Sequence, residues 1–188
     1  MPDARVEAAR RAVFLDRDGT IVEDPGFLRE PGKVRLLPGA GAAIHRLNQA
    51  GWLVITVSNQ SGIARGLYDA AAYTAVQRRL AELLAAHGAR LDGAYFCPHH
   101  PDFTGPCECR KPGVRLFREA GTALGLDLAR SVWVGDRLSD VEPARQLGGR
   151  AFLVRTGRGA AHAAQGRALG IPVVVDLAAA AAEIVRGG

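Results

Sequence analysis

The chain has 188 residues, of which 48% are hydrophobic and 23% are charged, a composition that excludes disorder over most of the length and leaves little room for two independent domains. Its formal net charge is +5, but the basic residues are dispersed, so the charge gives no direct support to nucleic-acid or membrane binding. We expect one domain over residues 1–188 that works in the cytoplasm, because residues 1–11 lack the apolar core of a secretory signal and no apolar stretch is long enough to span a membrane.

Short apolar runs alternate with helical periodicity along the whole chain. Strands are predicted at residues 12–15, 52–57, 94–96, 132–134, 152–154 and 173–175. Helices are predicted between Pro38 and Gly51, from the N-cap Asp69 to Gly88, and across 114–124, 141–147, 160–169 and 177–186. Because the strands are apolar on both faces and helices separate them, the fold class is α/β, a three-layer Rossmann-like parallel sheet.

Polar residues of chemical interest follow four of these strands directly. They are Asp16 to Asp18, Ser58 to Gln60, the cysteine-rich loop that leads to Lys111, and Gly135-Asp136. Ligands of such sheets bind beyond the carboxyl ends of the strands, so these residues are predicted to converge at one edge and form an active site.

The segment Asp16-Arg17-Asp18-Gly19-Thr20 places two carboxylates one residue apart at the end of the first strand. Carboxylates that close cannot both remain ionised without help, and Mg²⁺ held by carboxylates and phosphate oxygens would provide it. One carboxylate could then act as a nucleophile and the other as a general acid and base. The alternative is an Asx turn that merely ends the strand.

Three further segments suit a phosphate ligand. Ser58, Asn59 and Gln60 offer uncharged donors, and Lys111 offers a point cation, in a chain that contains only one other lysine. Asp136 follows the fourth strand, where a further metal ligand is needed, whereas Asp140 is readily explained as a cap of the next helix. A polar strand-to-helix turn and a lone surface lysine are the structural alternatives for the first two.

The three cysteines of the chain lie in one Pro- and Gly-rich segment together with two histidines. Three thiolates and one imidazole suit a closed tetrahedral site, so Cys97, His99, Cys107 and Cys109 are predicted to hold a structural Zn²⁺. His99 is favoured because it alternates outward with Cys97, and His100 remains a competing ligand. A disulfide framework is disfavoured by the odd number of cysteines.

Taken in order, D-x-D-G-T, S-N-Q, Lys and G-D-x-x-x-D over residues 12–157 resemble the four motifs of the haloacid dehalogenase superfamily of phosphotransferases. The resemblance implies that Asp16 is the nucleophile, that Asp18 is the general acid and base, and that Ser58 and Lys111 hold the phosphoryl group. It further implies that Mg²⁺ is bound by Asp16, by Asp18 through its main-chain carbonyl, and by Asp136. The short stretch between Asp18 and Ser58 predicts that no cap domain is inserted.

Within this superfamily, Ser58 to Gly66, Cys97 to Pro101 and Cys107 to Pro112 are similar to the heptose-bisphosphate phosphatases. That similarity implies Mg²⁺-dependent release of the 7-phosphate of a heptose 1,7-bisphosphate through an aspartyl-phosphate. The substrate contacts that it implies are Asp24, Pro25, Gly26, Phe27, Ser58, Asn59, Gln60, Ser61, Arg110, Lys111 and Arg137.

Two alternative functions remain at this point. One is a related histidinol-phosphate phosphatase, which shares D-R-D-G-T and the zinc loop. The other is a basic zinc-loop protein that binds nucleic acid, although no basic helix with base-facing residues is visible in the sequence. We expect a monomer whose partner is a small sugar phosphate, with neither nucleic acid nor a membrane involved.

Overall fold

The computed structural model describes residues 10–187, so most of the charged N-terminal segment discussed above lies outside the described residues. The described chain forms one six-stranded sheet in which every pair of neighbouring strands is parallel. The strands are β1 Ala12–Leu15, β2 Leu53–Asn59, β3 Gly93–Cys97, β4 Val132–Gly135, β5 Arg150–Val154 and β6 Val173–Val174. Their order is β3-β2-β1-β4-β5-β6, which confirms the predicted Rossmann-like α/β class.

Helices connect the strands and cover both faces of the sheet. They are α1 Ala40–Gln49, α2 Ser61–Ala64, α3 Ala70–Ala85, α4 Pro101–Thr104, α5 Arg115–Leu124, α6 Leu138–Leu147, α7 Gly159–Ala168 and α8 Leu177–Arg186. Single turns of 3₁₀ helix occur at Pro31–Lys33 and Leu128–Arg130.

Alternate side chains of β1 show how the two cores are divided. Val13 and Leu15 point into one core together with apolar residues of α1, α3 and α8. Phe14 points into the other, where its ring centroid lies 4.9 Å from that of Trp133 and 5.2 Å from that of Phe117 on α5. Because successive strand residues face opposite sides, an apolar run such as β1 must be covered on both, which is why the sheet is sandwiched between helices.

The structure extends or adds elements that periodicity did not reveal. Ser58 and Asn59 belong to β2 because they pair with Phe96 and Cys97 of β3, so the S-N-Q segment begins inside the strand. The helices α2 and α4 have four residues each, too few for a helical hydrophobic period to show in the sequence.

The strand order reverses beside β1: the chain adds β2 and β3 on one side of β1 and then β4, β5 and β6 on the other. The crevice beyond the carboxyl ends of β1 and β4 is where ligands bind in such folds. Between β1 and β2 the chain contains only α1 and one 3₁₀ turn, so the expectation that no cap domain is inserted is confirmed. Within residues 10–187, no helix is long and apolar enough to cross a bilayer.

Candidate active site

Three buried or nearly buried carboxylates converge beyond β1 and β4. Asp16 follows β1, Asp136 follows β4, and Asp140 lies in the first turn of α6; one carboxylate oxygen from each lies within 4.8 Å of the others. The Lys111 ammonium binds two of them, at 2.7 Å from Asp16 Oδ1 and 2.8 Å from Asp140 Oδ1. Its third hydrogen bond goes to the Val57 carbonyl at 2.6 Å, so every donor of the ammonium is used.

The charges of this cluster do not balance without a further cation. Burial raises the pKa of Asp16 well above its usual range, although Lys111 lowers it. Burial also raises the pKa of Asp136 to about 6, against a hydrogen bond from the backbone N–H of Arg158. Burial lowers the pKa of Lys111, but Asp140 and Asp16 raise it by more, so the lysine stays charged. One ammonium cannot neutralise three carboxylates, and the remaining negative charge favours a divalent cation.

Asp136 carries the feature that best fits a metal ion. Its Oδ2 accepts a hydrogen bond from Arg158 N at 2.7 Å, whereas its buried Oδ1 has no hydrogen-bond partner among the described residues. Gly19 and Gly157 enclose the same carboxylate so closely that a Cβ on either would lie 2.4 or 2.2 Å from Oδ2. An unpaired buried carboxylate oxygen in an all-oxygen donor set fits Mg²⁺.

Of the predicted magnesium ligands, the structure brings the carboxylates of Asp16 and Asp136 together, while the Asp18 carboxylate lies outside their cluster. The third carboxylate is that of Asp140, which the sequence had explained as a helix cap. The cap is present, because Asp140 Oδ2 accepts from Arg137 N at 2.9 Å, but Oδ1 binds Lys111. Each of its oxygens therefore has one partner within the protein, and Asp140 fixes the position of the lysine.

The Asp18 carboxylate is held by a separate group of donors. Arg17 Nε donates to Oδ1 at 3.0 Å and Arg17 Nη2 donates to Oδ2 at 2.8 Å. Gln60 Nε2 donates to Oδ2 at 3.0 Å. The Asp18 side chain is 21% exposed, whereas that of Arg17 is 1% exposed, so the carboxylate meets the cavity and the guanidinium lies behind it.

The S-N-Q segment links two of the predicted motifs. The Asn59 carboxamide makes two hydrogen bonds with the backbone of Lys111, accepting from its N–H at 3.0 Å and donating to its carbonyl at 3.1 Å. Ser58 is 1% exposed and its hydroxyl accepts from Gln60 Nε2 at 3.2 Å. Asn59 thus anchors the lysine, across 52 positions of sequence, to the end of β2.

These groups surround a cavity of about 480 Å³. It is lined by Asp16, Asp18, Asp24, Gly26, Phe27, Asn59, Gln60, Ser61, Arg65, Tyr68, His100, Arg110, Lys111, Arg137, Ser139, Asp140 and Arg158. All the predicted substrate contacts are therefore placed on its wall except Pro25 and Ser58. Phe27 adopts a left-handed backbone with φ of 51°, a strained conformation that is commonest at functional loops.

The four predicted zinc ligands form a compact cluster. The three Sγ atoms of Cys97, Cys107 and Cys109 lie 3.1–3.6 Å apart, and His99 Nδ1 lies 3.2 Å from Cys109 Sγ and 3.8 Å from Cys97 Sγ. A tetrahedron with metal–sulfur bonds of about 2.3 Å has edges of about 3.8 Å, so the donors can close around one Zn²⁺. All three cysteines are free of disulfides.

His100, the competing ligand, points elsewhere. Its Nδ1 accepts from Asp102 N at 3.3 Å and its Nε2 lies 3.1 Å from Arg65 Nη2. The cluster also touches the cavity, because Arg110 Nη1 donates to the His99 carbonyl at 3.2 Å. The position of Arg110 therefore depends on the order of the zinc loop.

Removing zinc is expected to lower the rate of phosphate release about 10- to 100-fold, because Arg110 would move. A misplacement of about 1 Å at an active site has an effect of this size. Excess Mg²⁺ should not restore the rate, because the carboxylate cluster is separate from the thiolates. Cys109→Ser should be more severe than Cys107→Ser, since Cys109 is buried and precedes Arg110. Metal analysis alongside the assay checks this, and full activity in a zinc-free Cys109→Ser protein would contradict it.

Sequence reasoning missed several residues that the structure places at the site. Besides Asp140, they are Arg17, Arg65, Tyr68, His100, Ser139 and Arg158. Arg17 lies inside the D-x-D motif and Arg65 inside the segment Ser58 to Gly66, so their positions in sequence pointed to the site. The positions of Tyr68 and Arg158 did not, because these residues reach the site only through the folding of α2 and of the loop after β5.

Known proteins resemble this chain at the level of sequence. A family model described as HAD-hydrolase-like matches residues 108–180. The D-glycero-beta-D-manno-heptose-1,7-bisphosphate 7-phosphatase of Bordetella bronchiseptica is 40% identical over 181 residues, which cover 94% of this chain and 98% of the relative. The D-glycero-D-manno-heptose-1,7-bisphosphate 7-phosphatase of Thermosynechococcus vestitus is 43% identical over 159 residues, which cover 80% of this chain and 81% of the relative.

Solved structures resemble the fold over nearly its whole length. The crystal structure of D,D-heptose 1,7-bisphosphate phosphatase from B. bronchiseptica, complexed with magnesium and phosphate, superposes with a TM-score of 0.87 at 39% identity and covers 95% of this chain and 99% of that one. That of D,D-heptose 1,7-bisphosphate phosphatase from Burkholderia thailandensis gives a TM-score of 0.70 at 34% identity, with 94% and 99% coverage.

Proposed function

This chain belongs to the D-glycero-D-manno-heptose-1,7-bisphosphate 7-phosphatase family of haloacid dehalogenase-like hydrolases, and from that premise we propose that it removes the 7-phosphate of D-glycero-D-manno-heptose 1,7-bisphosphate. It is a phosphoric monoester hydrolase of the kind that uses Mg²⁺. The observation that carries the proposal is the unbalanced carboxylate cluster around Lys111, with an unpaired oxygen on Asp136, at the sheet edge where ligands bind.

In the proposed first step, an Asp16 oxygen attacks the phosphorus of the 7-phosphate and the bond from phosphorus to the sugar oxygen breaks. Protonated Asp18 gives its proton to that oxygen as the alcohol leaves. In the second step a water molecule attacks the phosphorus of the aspartyl-phosphate, Asp18 takes a proton from the water, and the bond to Asp16 breaks. Splitting the hydrolysis in two uses a nucleophile that the protein already holds in place.

Asp16 and Asp136, with the main-chain carbonyl of Asp18, are the groups we assign to hold Mg²⁺, which when bound offsets the negative charge of phosphate and nucleophile. Lys111 contributes a second positive charge, and Asn59 and Asp140 keep it beside Asp16. Because a pentacoordinate phosphoryl group gains charge on oxygen, cations fixed beforehand stabilise it without reorganisation. Ser58, which is buried, supports this site through Gln60 in the present geometry.

The open cavity and the cationic side chains on its wall suit a substrate with a second phosphate. Arg65, Arg110, Arg137 and Arg158 all line it. Arg110 uses one N–H for the His99 carbonyl, and a guanidinium offers five, so it retains donors for an anion. We assign Arg110 to the phosphate that does not react.

Arg110→Ala should therefore cost more on a bisphosphate than on the corresponding 7-monophosphate. The loss of a charged hydrogen bond is worth roughly 1.5–3 kcal/mol, or about 10- to 150-fold in kcat/KM. The measurement is kcat/KM of wild type and variant on both substrates. Arg115→Ala is the matched control, because Arg115 pairs with Glu119 on the outside of α5 and does not line the cavity. Equal losses on both substrates would remove Arg110 from the second phosphate.

A substrate panel tests the function as a whole. Phosphate release would be followed with both anomers of the heptose bisphosphate, other sugar phosphates and histidinol phosphate, each with and without Mg²⁺. We expect the highest kcat/KM for a heptose bisphosphate and no turnover without the metal. A higher kcat/KM for histidinol phosphate would show instead that the chain is a histidinol-phosphate phosphatase.

We infer a single domain over residues 1–188 that acts as a cytoplasmic monomer on a small sugar phosphate, without nucleic acid or a membrane as partner. Light scattering of the purified protein tests the monomer, and salt-dependent binding of DNA would contradict the exclusion of nucleic acid.

A further inference from the structure

Arg17 and Gln60 donate hydrogen bonds to the Asp18 carboxylate, and Tyr68 donates one to Gln60. We propose that Arg17, Gln60 and Tyr68 form a positioning cluster that orients Asp18 for proton transfer and does not itself contact the substrate. This inference rests on the proposed function, because it assigns Asp18 the role of general acid and base.

Arg17 is the core of the positioning cluster. Arg17 is 0% exposed, although its neighbours Asp16 and Asp18 line the cavity. A buried guanidinium lowers the stability of the protein unless it is paired. Two of its hydrogen bonds go to the Asp18 carboxylate, at 3.0 and 2.8 Å, in the two-pronged geometry that fixes the plane of a carboxylate. The centre of the guanidinium lies 5.3 Å from the ring centroid of Tyr73, which closes the other side.

Gln60 supplies the second support. Its Nε2 donates to Asp18 Oδ2 at 3.0 Å and to Ser58 Oγ at 3.2 Å. Its Oε1 accepts from Arg17 Nη2 at 3.2 Å and from the Tyr68 hydroxyl at 2.6 Å. A carboxamide has two donors and two acceptor sites, and all four are used inside the protein. Gln60 therefore acts on Asp18 and has no free hydrogen-bonding group for substrate.

Tyr68 fixes which way the Gln60 amide points. Burial raises the pKa of Tyr68 to about 12, so its hydroxyl keeps the proton and donates a hydrogen bond to Gln60 Oε1. The ring packs on α2 at Gly62, where a Cβ would lie only 2.1 Å from a ring carbon. Gly62 is thus needed for the ring to reach Gln60, which gives a structural reason for the glycine that follows Ser61.

The hydrogen bonds treat the two oxygens of Asp18 differently. Oδ2 accepts from both Arg17 and Gln60, whereas Oδ1 accepts from Arg17 alone. Each carboxylate oxygen has two lone pairs, so Oδ1 keeps one free and is the oxygen that carries the transferred proton. The positioning cluster therefore leaves Oδ1 one free lone pair, whereas both lone pairs of Oδ2 are used inside the protein.

Tyr68→Phe and Arg17→Lys test the proposal through the dependence of the rate on the leaving group. Single-turnover phosphoryl transfer would be measured with heptose 1,7-bisphosphate, whose alkoxide leaving group needs a proton, and with 4-nitrophenyl phosphate, whose leaving group does not. Tyr68→Phe should slow the alkyl ester about threefold, as expected for one lost hydrogen bond. Arg17→Lys should slow it about tenfold, part of the roughly 10²–10⁴-fold that general acid–base help is worth. The rate on the aryl ester should fall by a smaller factor than the rate on the alkyl ester, and KM should change less than the single-turnover rate.

Tyr95→Phe is the matched control, because it removes a hydroxyl from a half-buried tyrosine of β3 that does not line the cavity. In an Asp18→Asn background, Tyr68→Phe should have no further effect on the alkyl ester, since both changes act through the same carboxylate. Melting temperatures identify a variant that fails to fold, and Tyr68→Phe then carries the test without Arg17→Lys.

Two outcomes would overturn the positioning cluster: equal losses on the alkyl and aryl esters, or an undiminished Tyr68→Phe effect when Asp18 is already Asn. If the wild-type protein does not hydrolyse the heptose bisphosphate but hydrolyses another alkyl phosphate, only the proposed substrate is overturned. The same comparison would then be made with that ester, and its result would still decide the role of the positioning cluster.

Discussion

Asp16→Asn is expected to abolish phosphate release, by at least about 10³-fold, while the protein stays folded. The amide is nearly the same shape as the carboxylate but cannot attack phosphorus, so no aspartyl-phosphate forms. Its carbonyl oxygen can still accept the Lys111 hydrogen bond that Asp16 Oδ1 accepts at 2.7 Å. Steady-state phosphate release with Mg²⁺ present checks the rate, and thermal unfolding checks the fold.

The Asp16→Asn substitution should not lower the stability of the metal-free protein. Burial raises the pKa of Asp16, Lys111 lowers it, and Asp140, Asp136 and Asp18 raise it further. The net direction is upward, so removing the charge of Asp16 relieves more desolvation and repulsion than it loses in attraction to Lys111. The metal-free variant should therefore melt no lower than the wild type. Asp176→Asn is the matched control, because Asp176 caps α8 by accepting from Ala179 N at 2.8 Å, and asparagine caps equally well. Activity of Asp16→Asn above a few per cent of wild type would contradict the covalent mechanism.

Asp18→Asn should lower turnover of the sugar phosphate by roughly 10²–10⁴-fold, the usual worth of general acid–base catalysis. An ester with a good leaving group should be rescued in the first phosphoryl transfer only, because the later attack of water still needs a base. Single-turnover experiments that resolve the two steps measure this. Equal losses on activated and ordinary esters in the first step would count against the assigned role.

The same substitution should also destabilise the protein, in contrast to Asp16→Asn. Arg17 is fully buried and pairs with Asp18, so a neutral partner leaves its charge uncompensated. Breaking a buried pair in this way costs about 3–5 kcal/mol, and partial exposure of Asp18 reduces that figure. The two aspartates of one motif are therefore expected to differ in stability as well as in mechanism, and melting curves of both variants distinguish them.

Local sequence signals determined the sheet and the chemistry at its edge. The apolar runs that became β1 and β4 and the Asp69 cap of α3 needed only neighbouring residues to be recognised. The same pattern predicted that Asp16 directly follows β1. Ligands bind beyond the carboxyl ends of parallel strands, so Asp16 was expected at the ligand-binding edge. The spacing of Cys97, His99 and the later cysteines was likewise enough to indicate one tetrahedral cluster.

Tertiary structure alone decided which side chains each of these residues meets. Asp140 could be recognised as a helix cap from its own helix, but its ion pair with Lys111 requires the chain after β3 and the first turn of α6 to approach each other. Gln60 had the chemistry of a substrate contact, and only its four internal hydrogen bonds turn it towards Asp18. A side chain's partners depend on direction and distance in space, which neither residue type nor sequence spacing contains. For this reason the sequence predicted which residues gather at the candidate site but not which of them bind one another.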